Sequence, residues 1–394
     1  MHLQGLLHKL FGNAANFIDK RIHAILLQSA ETLPSSAHLS LTSIGRSLSS
    51  ATTVKHNIKR IDRLFSNRTL HNKGVIYFEV IAKHILNDNK RPTIIVDWSG
   101  LTRCGEFHML SANVCVGGRA LPILTKSYHE SEYLKRKTHE NFLLQLSLIL
   151  PKDCHPIIVT DAGFRNPWFK LVVQKGWDFV GRVRHNTQYR LENIMSWKTI
   201  KSLYSLATPT PYYLFKAYLA KENPLKCYFY IYKEKHKNRV KKNLRGKKVR
   251  CSSSKKHEKS AKEPWLIVTS ISTDQLKAKQ IIDIYKSRMQ IEEYFRDLKN
   301  TKNGFGLRHC RSFQKDRLNV ALLIGGIAAF MLWIIGLMTI QKNMHFSFQS
   351  NTLKSRNVLS VFSIGWQALK QKHLSFNPFD IKLAIIRMKL CAFA

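Results

Sequence analysis

The sequence predicts an α/β fold: a mixed-sheet core, interrupted by a β-rich insertion and flanked by helical N- and C-terminal regions. Three observations predict it. Helical spacing of apolar residues fills the first 85 or so positions. From residue 92, short β-branched runs alternate with helical segments. Between 186 and about 263 that order breaks into alternating aromatic and polar residues followed by a cationic stretch. These shifts divide the 394 residues into a helical domain at 1–88, a first core part at 89–185, a β-rich basic insertion at 186–263, a second core part at 264–340, and a helical C-terminal region at 341–394.

In the N-terminal region, "SIGRSLSSATTVKHNIKRIDRLF" reads as helix, Ser/Thr-rich turn and second helix. On the second helix Ile58, Ile61 and Phe65 share one side, while Lys55, His56, Lys59, Arg60 and Arg63 take the other. Asp62 is the one acid among them, so the face suits DNA phosphates.

"PTIIVDWS" then reads as a buried strand. "EFHMLSANVCV" and "ALPILTKSY" flank Gly117-Gly118, a hairpin signal. "HENFLLQLSLIL" has helical spacing, and "HPIIVTDAG" is a second buried strand. "NPWFKLVVQKG" predicts a helix with Asn166 as N-cap, Pro167 at its first position and Gly176 past its end. "WDFVGRVR" is another strand. A three-strand meander followed by crossover units makes a mixed sheet, in which the first and fourth strands can lie side by side.

In the insertion, "YYLFKAYLAKENPLKCYFYIY" predicts a hairpin turning at Lys-Glu-Asn-Pro. The basic stretch 233–263 after it reads as a loop. "PWLIVTSI" resumes strand character, and "IYKSRMQIEEYFRDLK", 284–299, reads as one helix. At about 100° per residue, Tyr285, Arg288, Glu292 and Lys299 fall in a stripe about 60° wide, and Glu293 points away from it. Residues 320–340 carry no charge and are long enough to span a bilayer; a core helix, apolar all round, is the expectation here. "NTLKSRNVLSVFSIGWQALK" reads as an amphipathic helix.

Charge limits the partners. Sixty-four Lys and Arg against 25 Asp and Glu give +39, which calls for a polyanion: nucleic acid first, an anionic membrane second. Seven scattered cysteines without a C-x-x-C pair suggest reduced thiols and a cytoplasmic setting, and the first residues lack a signal peptide's continuous apolar region. Asp97 and Asp161 each follow a strongly apolar strand run, where a lone carboxylate is costly unless paired or metal-bound.

With both aspartate segments in hand, Tyr285, Arg288, Glu292 and Lys299 match the pattern Y-x2-R-x3-E-x6-K. The chain resembles the insertion-sequence transposases that carry this YREK signature on an RNase H-like DDE core. "KHNIKRIDRLF", "RMQIEEYFRDLK" and "LRHCRS" are similar to segments of the transposase of the bacterial tetracycline-resistance transposon. The resemblance implies that Asp97, Asp161 and Glu292 are catalytic and hold two Mg2+ ions per active site, with Mn2+ as a substitute. It implies that Tyr285, Arg288 and Lys299 hold phosphates, that Trp265 stacks on a flipped base, and that Lys55, Lys59, Arg60 and Arg63 contact DNA. The implied reaction is end nicking, hairpin formation and opening, then strand transfer on double-stranded DNA. A homodimer pairing two ends is expected, in a bacterial, nucleoid-associated setting and with no membrane partner. The rival readings are a DNA nuclease that cuts without joining, a catalytically silent DNA-binding repressor, and a membrane-tethered basic protein.

Overall fold

The computed structural model describes residues 3–87, 89–102, 104–234, 251–252, 263–350, 353, 356–371 and 375–393. Most of the basic stretch at 233–263 thus lies outside the described residues. The chain forms two compact units, Met1–Pro156 with Met289–Ala394, and Ile157–Arg288.

The first unit opens with helices α1 (Leu3–Phe11), α2 (Lys20–Thr32), α3 (Leu41–Ser47), α4 (Val54–Phe65), α5 (Arg68–Lys73) and α6 (Val75–Leu86). Thr53 caps α4, its hydroxyl accepting from the His56 N–H at 3.4 Å. Gly45 lets α3 lie against α4: a Cβ there would stand 2.7 Å from the Ile58 Cα. The meander follows as β1 (Thr93–Gly100), β2 (Phe107–Cys115) and β3 (Ala120–His129), each antiparallel to the next, then α7 (Arg136–Ile149). Gly117 and Gly118 turn the β2–β3 hairpin at φ +87° and +84°, a region closed to most side chains.

The second unit holds β4 (Ile157–Thr160), α8 (Asn166–Gln174), β5 (Asp178–Val183), β6 (Gln188–Leu191), β7 (Lys198–Thr199), β8 (Tyr212–Leu219), β9 (Leu225–Tyr232), β10 (Trp265–Thr269) and α9 (Ala278–Ser287). Among the described residues its strands run in the order β4-β5-β10-β9-β8-β6-β7. β4 and β5 are parallel and the pairs beyond them antiparallel, so the sheet is mixed. The β8–β9 hairpin of the insertion joins this sheet through β10 rather than forming a layer of its own.

The chain then returns to the first unit as α10 (Met289–Lys299), α11 (Lys315–Gln341), α12 (Val361–Lys370) and α13 (Pro378–Phe393). Among the described residues α11 is the one helix long and apolar enough to cross a membrane, and its apolar window is wholly buried. It packs on β3, α2, α4, α5, α6, α12 and α13, which makes it the core helix that its composition anticipates.

Three local expectations are corrected. The helix expected over 284–299 is two helices, broken at Arg288. The Ser287 hydroxyl donates to the Ile284 carbonyl at 2.7 Å, the acceptor that an uninterrupted helix would offer Arg288. The Arg288 N–H turns to Tyr285 O at 3.2 Å instead. Asn166 does not cap α8; it is the first helical residue, after Arg165, and its amide donates to the Asn223 carbonyl. The helix expected over 351–370 starts only at Val361, where the Ser360 hydroxyl accepts from the Ser363 N–H at 3.2 Å.

Candidate active site

In the first unit, Asp97 lies within β1 rather than at its end, since the strand runs on to Gly100. Strand register places it opposite Ser111 on β2, and Ser111 opposite Thr125 on β3. The Trp98 N–H donates to Asp97 Oδ1 at 2.8 Å. Helix α10 packs on all three strands of the meander. From its last turn Lys299 donates to the Ser99 hydroxyl. Burial pulls the Lys299 ammonium down to about 8, with Arg308 adding to the drop and Asp97 opposing it. Glu292, in the first turn of the same helix, is exposed.

The neighbouring Glu293 has a different task. It pairs with Arg119 at 3.3 Å and with Arg296. Arg119 follows the Gly117-Gly118 turn and also reaches Asp297 at 2.8 Å. Glu293 therefore ties the β2–β3 turn to α10. Trp98 stands on the opposite side of β1 from Asp97, as alternation requires. It lies edge-on to Tyr128 and Tyr133, with ring centres 5.5 and 5.1 Å away. Its indole N–H donates to His139 Nε2 at 3.2 Å. That bond requires a neutral imidazole, and burial lowers His139 to about 4.

In the second unit, Asp161 directly follows β4, and the Gly163 N–H donates to its Oδ1 at 2.8 Å. Tyr285, from the last turn of α9, is 5% exposed. Burial raises its hydroxyl, Arg288 and Arg182 oppose that rise, and Asp161 adds to it. Tyr285 thus interacts with both Arg288 and Asp161. Trp265 meets Tyr285 edge-on, with ring centres 5.2 Å apart.

Arg182 belongs to this group and was missed at the level of sequence. Its guanidinium lies 5.8 Å from the centre of the Trp265 ring and donates to the carbonyls of Glu263 and Pro264, each at 3.3 Å. Arg184 beside it pairs with the Glu263 carboxylate at 2.6 Å. "GRVR" carried the signal: cations at alternate positions of a strand whose other positions are apolar.

On α4, Lys55, Lys59 and Arg63 are exposed and Arg60 is half-buried, whereas Ile61, Leu64 and Phe65 face the core. Asp62 pairs with Arg317 at 2.7 Å, which leaves the outer face cationic. A cleft of about 710 Å³ adjoins it, bordered by Arg46, Arg311 and Arg317, three cations the sequence reading did not single out.

Residues 88–331 match the transposase DDE domain family. The chain belongs to the DDE transposases. No curated protein matches it. Membership makes DNA the substrate class of this transposase and divalent metal ions its general cofactor class. The mixed α/β architecture, with helices on its sheets, accords with the RNase H-like fold of DDE transposases. Among the described residues, no three His, Cys, Asp or Glu side chains gather into a ready metal cage. The donor chemistry nevertheless fits a hard divalent ion: Asp97, Asp161 and Glu292 are carboxylates, and none of the three is fully buried.

Proposed function

We propose that this DDE transposase carries out cut-and-paste transposition of an insertion sequence: nicking at the element's ends, hairpin formation and opening, and strand transfer into target DNA. Asp97, Asp161 and Glu292 are its three catalytic carboxylates and would hold two Mg2+ ions, with Mn2+ able to replace them. Such ions polarise a phosphodiester and acidify a bound water. The chain's own side chains position the DNA. Lys299 and Arg288 hold phosphate oxygens near the cut, and Tyr285 donates a hydrogen bond to one. Trp265 offers its ring to a base displaced from the stack. Lys55, Lys59, Arg60 and Arg63 track the backbone of the bound end.

One observation carries this reading. The four-residue signature is divided at the Arg288 break, and each half meets an aspartate in its own unit. Lys299 interacts with Asp97 and shares its helix with Glu292, while Tyr285 interacts with both Arg288 and Asp161. Glu293, next in sequence to Glu292, is occupied by Arg119 and Arg296 instead. A nuclease that cuts without joining has no hairpin to hold, and a silent repressor has no need to keep all three carboxylates.

We also propose a homodimer. On α13, Phe379, Leu383, Ile386 and Leu390 are exposed at steps of four, three and four residues, the spacing of a helix seam.

The test is cleavage of a donor plasmid in Mg2+ by wild type, Asp97→Ala and Glu293→Ala. Asp97→Ala should abolish nicking yet retain end binding, whereas Glu293→Ala should keep most activity. Equal loss in both variants refutes the assignment of Glu292 over its neighbour.

A further inference from the structure

Beside Trp265, the β8–β9 hairpin extends a face whose other residues the proposed reaction leaves unused. Strand register places Lys216 opposite Tyr228, Tyr218 opposite Lys226, and Trp265 of β10 opposite Tyr232. Directly opposed residues share a face, and so do alternate residues of one strand. The register shift between Tyr213 and Phe215 keeps Tyr213 on this face as well. The other face of the same strands is apolar and buried, with Ala217, Leu219, Cys227, Phe229 and Ile231. A sheet that needs only one wet face usually carries charged residues and threonines there. This one carries tyrosines interleaved with cations.

Helix α9 reaches the margin of the tyrosine face, where Lys286 sits 4.9 Å from the centre of the Tyr232 ring. Tyr230, between Tyr232 and Tyr228 on the same face, is fully buried, and beyond it the face is accessible. Tyr213 is 38% exposed, Lys216 and Lys226 are exposed, and Tyr218 and Tyr228 are half-buried. Cations and rings are in contact across it: Lys216 lies 4.8 Å from the Tyr228 ring centre and Arg190 4.8 Å from that of Tyr218. Tyr213 and Tyr228 have centres 6.2 Å apart. Against these cations stands Glu192, which is paired with Lys226.

We infer that this tyrosine–lysine face binds single-stranded DNA, the bases stacking on Tyr213, Tyr218 and Tyr228 and the phosphates running past Lys216 and Lys226. Aromatic platforms with interspersed cations bind unpaired strands without reading their sequence, because every base has a π-face. A duplex keeps its bases stacked on each other and gains nothing from the rings. Charge decides against a protein partner as the first choice, since a protein would have to be strongly acidic to match Arg190, Lys216 and Lys226. The inference rests on the DNA-acting reading only for the kind of polymer; it uses none of the catalytic carboxylates.

The test uses the full chain in EDTA at raised salt, where phosphate contacts weaken more than stacking. A short single strand bearing 5-iododeoxyuridine is irradiated with the protein and the adduct mapped, and affinities for the strand and its duplex are measured in parallel. The adduct should fall on Tyr213, Tyr218 or Tyr228. Tyr213→Ala with Lys216→Ala should lower single-strand affinity by about tenfold and leave duplex affinity in place. Tyr213→Phe should bind as wild type does, which separates ring stacking from misfolding. Unchanged strand affinity, equal losses for strand and duplex, or an adduct elsewhere overturns the inference. Asp97→Ala should leave all of these readings unaltered, so failure of the cleavage assay and failure here remain distinct.

Discussion

His139 shows how one residue fixes a neighbour of the site. It is 7% exposed and accepts the Trp98 indole N–H while Trp98 precedes Ser99, the partner of Lys299. The folded chain takes up a proton at His139 only near pH 4, whereas the unfolded chain does so near 6.5. The unfolded state therefore binds more protons between those values. The stabilisation is complete above about 6.5 and is lost as pH falls toward 4, by roughly 3 kcal/mol. Urea unfolding of wild type and His139→Gln at several pH values checks this. The wild-type midpoint should fall more steeply on acidification, and parallel curves would show that His139 is not protonated on unfolding. Glu293 offers the complementary lesson: sequence spacing set it apart from Glu292, and its pairing with Arg119 gives it a structural occupation of its own.

At the scale of elements, α11 and α12 cross at two glycines. A Cβ on Gly365 would stand 2.0 Å from the Leu332 carbonyl oxygen, and one on Gly336 2.1 Å from that of Val361. Backbone stands in the way at both places, so no rotamer change makes room. Gly365→Val should cost about 3 kcal/mol, read as a lower urea midpoint. A variant as stable as wild type would mean that the crossing can open freely. The core meander, the β4–α8–β5 crossover, the Gly117-Gly118 turn and the Lys-Glu-Asn-Pro hairpin were all legible in sequence, because their periods and turn residues act locally. The break at Arg288 was not. It is accompanied by a bond from the Ser287 hydroxyl to the Ile284 carbonyl, a local contact that no apolar spacing records.

For the whole molecule, the excess of cations and the seam on α13 act together. Copies carrying +39 repel one another in free solution, and DNA removes that repulsion. We therefore expect dimers on end DNA. Leu383→Asp with Leu390→Asp should leave single-copy binding in place and abolish the paired complex in sedimentation. A paired complex that survives both substitutions places the dimer contact elsewhere.

The sequence by itself determined the fold class, the need for a polyanion, the apolar character of the 320–340 helix and the residues worth suspecting, because composition, periodicity and motif spacing are properties of the chain alone; that this helix is buried in the core was decided by the packing around it. Tertiary structure decided which of those residues interact: Lys299 with Asp97, Tyr285 with Arg288 and Asp161, Glu293 with Arg119, and the unforeseen Arg182 with Trp265. The physical reason is that such contacts join residues far apart in sequence, and their energies depend on burial and distance, which exist only once the strands and helices have packed.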